Sequence, residues 1–499
     1  MSASPESPTR NKTAKTEVDS GYQSAELFPV LFLPLLVLLL AFLVGVLYSP
    51  IFSSIWSVDV PLESVTSRTV IPIKRVSWSP KRSILEYLEE HPDEPVIFEN
   101  TQAELWRARR VWKPSYLKRI FSSEAFVLEG AYAHNHSVFG PYFDGSKPMN
   151  IEGVRERIVR ANEHRLWSPT AERFFSAVEG SMDTWNYFAT KLRLLPSTLL
   201  MDIEPFDKIL ELDPDSQEEN MNFWIGQGGV SAACHYDGYD NINVQVYGRK
   251  QWNMYAPSNH TMMYLYPFLH FHHAQTQVDI ENPDLEAFPL FNQAVRYEGI
   301  TEPGDAIYMP AMWFHGVQTL NTSINVNSWV KTPTSHVLET MASEIPNDIS
   351  IHAAQLYLRQ LLVALDKPLS FVSDSVVTPR YQRLFETGQL DTNGGRKDDI
   401  MTQCLRKKSS SSSDTKSDNR SSSSESSSKS KKSHRLDRYE NVSPEQLKKI
   451  RNLAEKHASL FHAVPHDTVD IWLGNHIEYI LAFATQDPVM ASAILLQCF

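Results

Sequence analysis

Asn241–Tyr247 reads NINVQVY, polar and apolar residues in alternation, and Gln251–Tyr255 reads QWNMY, with Gly248-Arg249 between them. Period-two alternation marks a strand with two unlike faces. A Gly-led break between two such runs predicts two strands joined by a tight turn. The pattern continues downstream. Glu302-Pro303-Gly304-Asp305 is a turn before AIYM at Ala306–Met309, and Asn321-Thr322 is a turn before SINVNSWV at Ser323–Val330. Short strands with Gly/Pro turns from about Thr69 to Val330 predict a mainly β domain, either a barrel or a double-sheet jelly roll. Helical patterns at Ser83–Glu90 and Ser115–Phe121 would flank it, and no internal repeat is evident.

The chain has 499 residues, and 42% are hydrophobic, enough to bury a core. Its formal charge of −12 argues against a general nucleic-acid binder, because it has no cation excess to displace counterions from phosphates. Three cysteines, Cys234, Cys404 and Cys498, exclude a disulfide scaffold and an all-cysteine zinc site.

The two ends depart from this average. Leu27–Tyr48 carries no charge over 22 residues, and about 20 suffice to cross a bilayer. A cleaved signal peptide fits less well, since the run exceeds the usual apolar region and no A-x-A site follows. Arg10, Lys12 and Lys15 precede the run and only Arg68 follows closely. The expected topology is therefore a single-pass membrane protein with a cytosolic N-terminus and the rest of the chain in the lumen or outside the cell. The triplets beginning at Asn135, Asn259, Asn321 and Asn419 are glycosylation acceptors by pattern, a weak signal. Ser409–Ser433 holds 15 serines and nothing apolar, so it reads as a disordered insertion. Beyond it, Ser443-Pro444 supplies an N-cap and a first-turn proline. Helices are expected there, at Val469–Ala484, at Val489–Leu496 and, before the insertion, at Ile349–Leu365. Their apolar stripes call for packing within the chain or against a second copy, as a homodimer.

The chemistry centres on His235-Tyr236-Asp237. Residues two apart on an extended segment share a side, so the imidazole and the carboxylate can bind one metal ion. His315, in Met312-Trp-Phe-His-Gly, supplies a second imidazole. Two histidines and one carboxylate leave coordination positions open, which suits a non-haem Fe(II) oxygenase. Lys250, 15 residues after His235, is placed to pair with the far carboxylate of a dicarboxylic acid, or else is a solvated turn lysine. His270, His272 and His273 are expected to form a loop over the barrel mouth, and Cys234 to be a small packed residue.

Residues 224–331 resemble the JmjC/cupin-type Fe(II)/2-oxoglutarate dioxygenases, nearest their asparaginyl-hydroxylase branch. The resemblance runs through His235-Tyr-Asp237, the step to Lys250, Gln275-Thr-Gln-Val-Asp-Ile-Glu-Asn-Pro-Asp284, Phe288-Pro289, Pro303-Gly-Asp305, Trp313-Phe-His315 and Val326-Asn-Ser-Trp329. It continues loosely through Pro95-Val-Ile-Phe, Trp106, Trp112 and Tyr116-Leu117, about half of the chain in all. It implies a double-stranded β-helix, Fe(II) held by His235, Asp237 and His315, and the co-substrates 2-oxoglutarate and O2. It further implies that Lys250 pairs with the 5-carboxylate of 2-oxoglutarate, with Asn241, Asn327 and, by a loose match, Tyr142 on the same ligand. Gln275 and Trp329 would line the substrate pocket; their bland alternatives are a surface amide and a core aromatic. Two departures stand out. Ala232 occupies a position that often carries a hydroxyl, and Ala274 stands where the asparaginyl hydroxylase has arginine.

The expected organisation is a cytosolic disordered tail (1–26), a transmembrane anchor (27–48), a linker (49–68), a catalytic domain (69–335), a helical extension (336–404), a Ser-rich insertion (405–437) and a C-terminal helical region (438–499). The expected activity is hydroxylation of a protein or peptide side chain with release of succinate and CO2. A Lys/Arg demethylase of the same chemistry and a catalytically silent cupin scaffold are the alternatives.

Overall fold

A computed structural model describes residues 69–386, with breaks of which the longest are 140–165 and 205–220, and then 443–485, 491 and 495. The strands are β1 (Val70–Pro72), β2 (Lys74–Ser77), β3 (Val96–Glu99), β4 (Ala131–His134), β5 (Val138–Phe139), β6 (Leu166–Trp167), β7 (Trp185–Lys191) and β8 (Met221–Gly226). They continue as β9 (Ser231–Tyr236), β10 (Asp240–Tyr247), β11 (Lys250–Tyr255), β12 (Arg296–Thr301), β13 (Ala306–Met309), β14 (Phe314–Thr319) and β15 (Ser323–Val330). One sheet has the order β1-β12-β11-β14-β9-β5 and the other β2-β3-β13-β10-β15-β8-β7-β4-β6. From β8 to β15 the chain crosses between the sheets at every step except β11 to β12, as in a double-stranded β-helix.

NINVQVY and QWNMY form two strands, β10 and β11, joined by a tight turn as expected, but the two do not pair with each other. β10 pairs with β13 and β15, and β11 pairs with β12 and β14, in opposite sheets. Local alternation identifies a strand but not its partner. Here the turn is a corner between sheets: Gly248 has φ +70°, and a Cβ there would lie 2.1 Å from the Thr322 carbonyl oxygen.

The alternation also runs inside out. Ile242, Val244 and Val246 of β10, Phe223 and Ile225 of β8, and Ile324 and Val326 of β15 face the main apolar core. That core includes Trp106, Trp112, Phe121 and Phe174, the last two on the helices Pro114–Ser123 and Ala171–Glu179. The polar positions between them, Asn222, Asn241, Asn243, Asn325 and Asn327, are buried. Burying amides is tolerable because they bond one another, as Asn325 Nδ2 does to Asn243 Oδ1 at 3.0 Å.

The C-terminal helices are α1 (Pro333–Ser343), α2 (Ile351–Ala364), α3 (Thr378–Glu386), α4 (Pro444–Phe461) and α5 (Val469–Thr485). Ser443 caps α4 and Pro444 lies in its first turn, as the sequence predicts, and Gln446 completes a capping box. Leu358, Leu361 and Leu362 of α2 pack with Ala454, Ala458 and Phe461 of α4 and with Leu473, Ile477 and Ile480 of α5. Each fully buried leucine contributes about 2 kcal/mol. Their stripes are thus covered within one chain.

The expected anchor at 27–48, with its tail and linker, lies outside the described residues, as do the Ser-rich insertion and Tyr142. The Val489–Leu496 helix lies outside them except for Ala491 and Leu495, both buried. Among the described residues no helix is long and apolar enough to cross a membrane. Asn259 is buried and donates to the Ala256 carbonyl at 3.2 Å, so it is no glycan acceptor in the folded chain.

The helical core holds a buried polar relay. Tyr357 Oη lies 2.6 Å from His457 Nδ1 and 2.8 Å from His476 Nε2, and His457 Nε2 lies 3.1 Å from Glu344 Oε2. A carboxylate only accepts, so His457 donates from Nε2 and accepts from Tyr357, which in turn accepts from His476. Burial, aided by His457, pushes His476 down to about 3. Below pH 6.5 the unfolded chain therefore binds a proton that the folded chain does not. Stability present above that pH is lost as pH falls, at about 1.4 kcal/mol per pH unit for this histidine. Thermal melts should show a Tm that drops between pH 7 and pH 5, and His476→Gln should make the drop shallower. Equal slopes in the two proteins would exclude this origin.

Candidate metal centre

β9 and β14 are antiparallel neighbours with His235 opposite His315. The two rings lie 4.3 Å apart, centroid to centroid. Asp237 follows one residue past the end of β9, and its Oδ2 is 3.8 Å from His315 Nε2. One ligand atom from each of the three residues lies within 4.8 Å of the others, and no further such group of His, Cys, Asp and Glu occurs among the described residues. His270, His272 and His273 therefore form no second centre; His270 stacks on Tyr266 at 4.5 Å instead.

The orientation of each ligand is fixed from behind. His235 Nδ1 bonds the Ala233 carbonyl at 2.7 Å, and His315 Nδ1 bonds the Trp313 carbonyl at 3.0 Å. A carbonyl only accepts, so Nδ1 carries the proton in both rings and Nε2 keeps its lone pair for a cation. Burial pushes His315 down to about 4, so its ring stays neutral and ligand-ready at pH 7. Asp237 Oδ2 accepts from Trp329 Nε1 at 2.9 Å and from Asn241 Nδ2 at 3.4 Å. Asn241 accepts from Asn327 Nδ2 at 3.0 Å, and Asn327 Oδ1 accepts from Trp224 Nε1 at 2.6 Å and Asn222 Nδ2 at 3.3 Å.

The three residues open on a cavity of about 170 Å³, which Lys250, Asn241, Asn327, Gln275, Trp329 and Tyr187 also line. All the expected site residues inside the described region thus meet there. Trp329 is more than a pocket wall, since it holds the carboxylate. Lys250 opens β11, which lies between β12 and β14. It is no solvated turn lysine: it is 3% exposed, and burial pushes its ammonium down to about 7. Its Nζ lies 5.6 Å from the centre of the Tyr187 ring. Sequence reasoning missed Tyr187; Tyr142, which it named, lies outside the described residues. The signal it had was the strand pattern of Trp185–Lys191.

Both departures lie at the cavity or beside it. The register slips between His315 and Val317 against β9, where Ala232 pairs with Val317. The extra residue in β9 brings Ala232, three before His235, to the cavity. Ala274 has φ +67°, and its carbonyl accepts from Tyr236 N at 3.0 Å, so the left-handed turn directs Gln275 to the cavity. Cys234 packs in an apolar cluster, and burial raises its thiol well above the ordinary range, as expected for a packed residue.

The donor set fits a divalent cation with open positions, and the buried ammonium in the same cavity fits an anionic ligand beside it. Known proteins bear on the family. Over 129 residues the chain is 31% identical to mouse HSPB1-associated protein 1, covering 25% of this chain and 26% of that protein. It is 37% identical over 110 residues to chicken tRNA wybutosine-synthesizing protein 5, covering 22% and 33%. Over 241 residues it is 27% identical to zebrafish Lysine-specific demethylase 8, covering 48% and 53%. The chain spans between a quarter and about half the length of these relatives, and they do not single out the asparaginyl-hydroxylase branch. A cupin-like domain profile matches residues 86–336, half of the chain and the whole of the double-stranded β-helix, and the chain belongs to the cupin-like domain family.

Proposed function

We propose that the chain is an Fe(II)- and 2-oxoglutarate-dependent dioxygenase that hydroxylates a protein side chain. The observation that carries this reading is the cluster of His235, Asp237 and His315 in one cavity with the buried Lys250. When bound there, Fe(II) and 2-oxoglutarate would supply O2 activation, with release of succinate and CO2. The chain's own residues do the rest. His235 and His315 offer their Nε2 atoms, Trp329 and Asn241 hold the Asp237 carboxylate, and Lys250 offers a cation to the far carboxylate of the co-substrate. Trp252, Met309 and Val317 give the cavity apolar walls that limit water.

A demethylase is the second reading, favoured by the name of the relative Lysine-specific demethylase 8. The cavity weighs against it. Its only carboxylate among the lining residues is Asp237, already committed to the metal set, so none remains to receive a methylated cation. The name of the relative HSPB1-associated protein 1 points to protein partners, and the charge of −12 speaks against the tRNA named for another relative. The charge-free stretch at 27–48 supports a single anchor that leaves the catalytic domain in the lumen or outside the cell.

The full chain, purified in detergent, is expected to convert 2-oxoglutarate to succinate with Fe(II) and to add one oxygen atom to members of a peptide panel. Formaldehyde release from methyl-lysine peptides would favour the demethylase. Absence of both iron and 2-oxoglutarate binding under anaerobic conditions would sink the enzyme reading.

A further inference from the structure

α5 reaches the metal centre from behind. Tyr236 lies between His235 and Asp237, so its side chain leaves the opposite face of the sheet. Its ring meets Phe314, the residue before His315, edge-on at 5.6 Å. Its hydroxyl accepts from Asn475 Nδ2 of α5 at 2.9 Å. Trp472, one turn earlier, backs Gly238, the residue after Asp237: a Cβ at Gly238 would lie 3.4 Å from the indole. One helix thus supports the chain on both sides of the carboxylate ligand.

Asn475 is itself fixed. Its Oδ1 accepts from Arg380 Nη1 at 2.9 Å, and Arg380 pairs with Glu478. Glu478 also accepts from the Tyr381 hydroxyl and from Phe268 N at 3.1 Å. Gln277 Nε2 donates to the Arg380 carbonyl at 2.9 Å. The segment between Phe268 and Gln277 carries Gln275, which lines the cavity. Arg380 and Glu478 are 2% and 0% exposed.

We propose that Asn475 is a positioning residue of the metal centre. Through the Tyr236 hydroxyl it fixes the two-residue step that turns His235 and Asp237 toward one cation. The C-terminal helical region is then part of the site, although it supplies no ligand. This rests on the metal-centre reading above, and the test separates the two.

The full chain is titrated with Co(II), whose visible absorption band reports ligand geometry. His235→Ala is the metal control, and Leu362→Ala, in the helical core, is a control for lost stability. Asn475→Ala and Tyr236→Phe should each weaken Co(II) binding about tenfold, as for other groups that orient metal ligands, and should shift the band. The double variant should be no weaker than either single one, because both remove the same hydrogen bond. Leu362→Ala should lower Tm while leaving affinity and band unchanged. If wild type binds Co(II) and the two variants match it in affinity and band, or if their losses multiply, the proposal is overturned. If Asn475→Ala does not fold, Tyr236→Phe decides alone, since it keeps the ring. If wild type does not bind Co(II), the metal-centre reading fails first.

Discussion

His235→Ala should lower the affinity of the chain for Fe(II) by on the order of a hundredfold or more and stop succinate release. Loss of a group that merely orients a ligand costs about 10–100-fold, and His235 is itself a ligand by position. It faces His315 across β9 and β14, and its Nδ1 is already committed to the Ala233 carbonyl. His315→Ala should do the same. Asp237→Ala should do more, because it also strips the partner from Trp329 Nε1 and Asn241 Nδ2. Leaving such donors without a partner costs about 1–3 kcal/mol each where they are buried. Anaerobic Fe(II) titration, a succinate assay and matched thermal melts check all three. Cys234→Ala, one residue away, should lose about 1 kcal/mol of packing and keep its turnover. Wild-type metal affinity in His235→Ala would remove the basis of the site.

Lys250→Met should weaken 2-oxoglutarate binding by about a hundredfold while raising the stability of the ligand-free chain. Lys250 is the only Lys or Arg among the residues lining the cavity. Removing one member of a buried charge pair costs about 2–5 kcal/mol of affinity. The stability effect has the opposite sign. The ammonium is pushed from 10.5 down to about 7 by burial, so the folded chain resists a proton that the unfolded chain holds. Between pH 7 and pH 10.5 the unfolded state binds more protons, and stability rises with pH across that window. Below pH 7 the penalty is fully present, and methionine removes it. A dicarboxylate that pairs with Lys250 restores its charge, so binding above pH 7 should take up a proton and weaken as pH rises toward 9. Calorimetry in two buffers of different ionisation enthalpy measures that uptake, and melts of the two proteins at pH 7 measure the stability gain. Equal 2-oxoglutarate affinity in Lys250→Met would show that Lys250 does not hold the co-substrate.

Much of the site was legible because its elements are local. His235 and Asp237 sit two apart, which on an extended chain sets both on one side. Ser443 and Pro444 are adjacent and mark the start of α4. The strands at 241–247, 251–255, 306–309 and 323–330 announce themselves by alternation or apolar content over a few residues. Tyr187 was not legible as a neighbour of Lys250, since 63 residues separate them in sequence and no local pattern joins them. The role of Trp329 was only half legible: its place at the cavity was expected, but its bond to Asp237 was not.

The sequence by itself determined where β10, β11, β13 and β15 lie and which side chains can share a metal ion, because φ/ψ preference and period-two alternation act over a handful of residues. Only the tertiary structure decided that β10 and β11 part into opposite sheets, and that the polar face of β10 turns inward to an amide-lined cavity. It alone brought Asn475 to Tyr236 across 239 residues. Alternation says that a strand has two unlike faces. Which of them is covered, and by what, depends on helices and strands far away in the chain, whose apolar faces must themselves be buried.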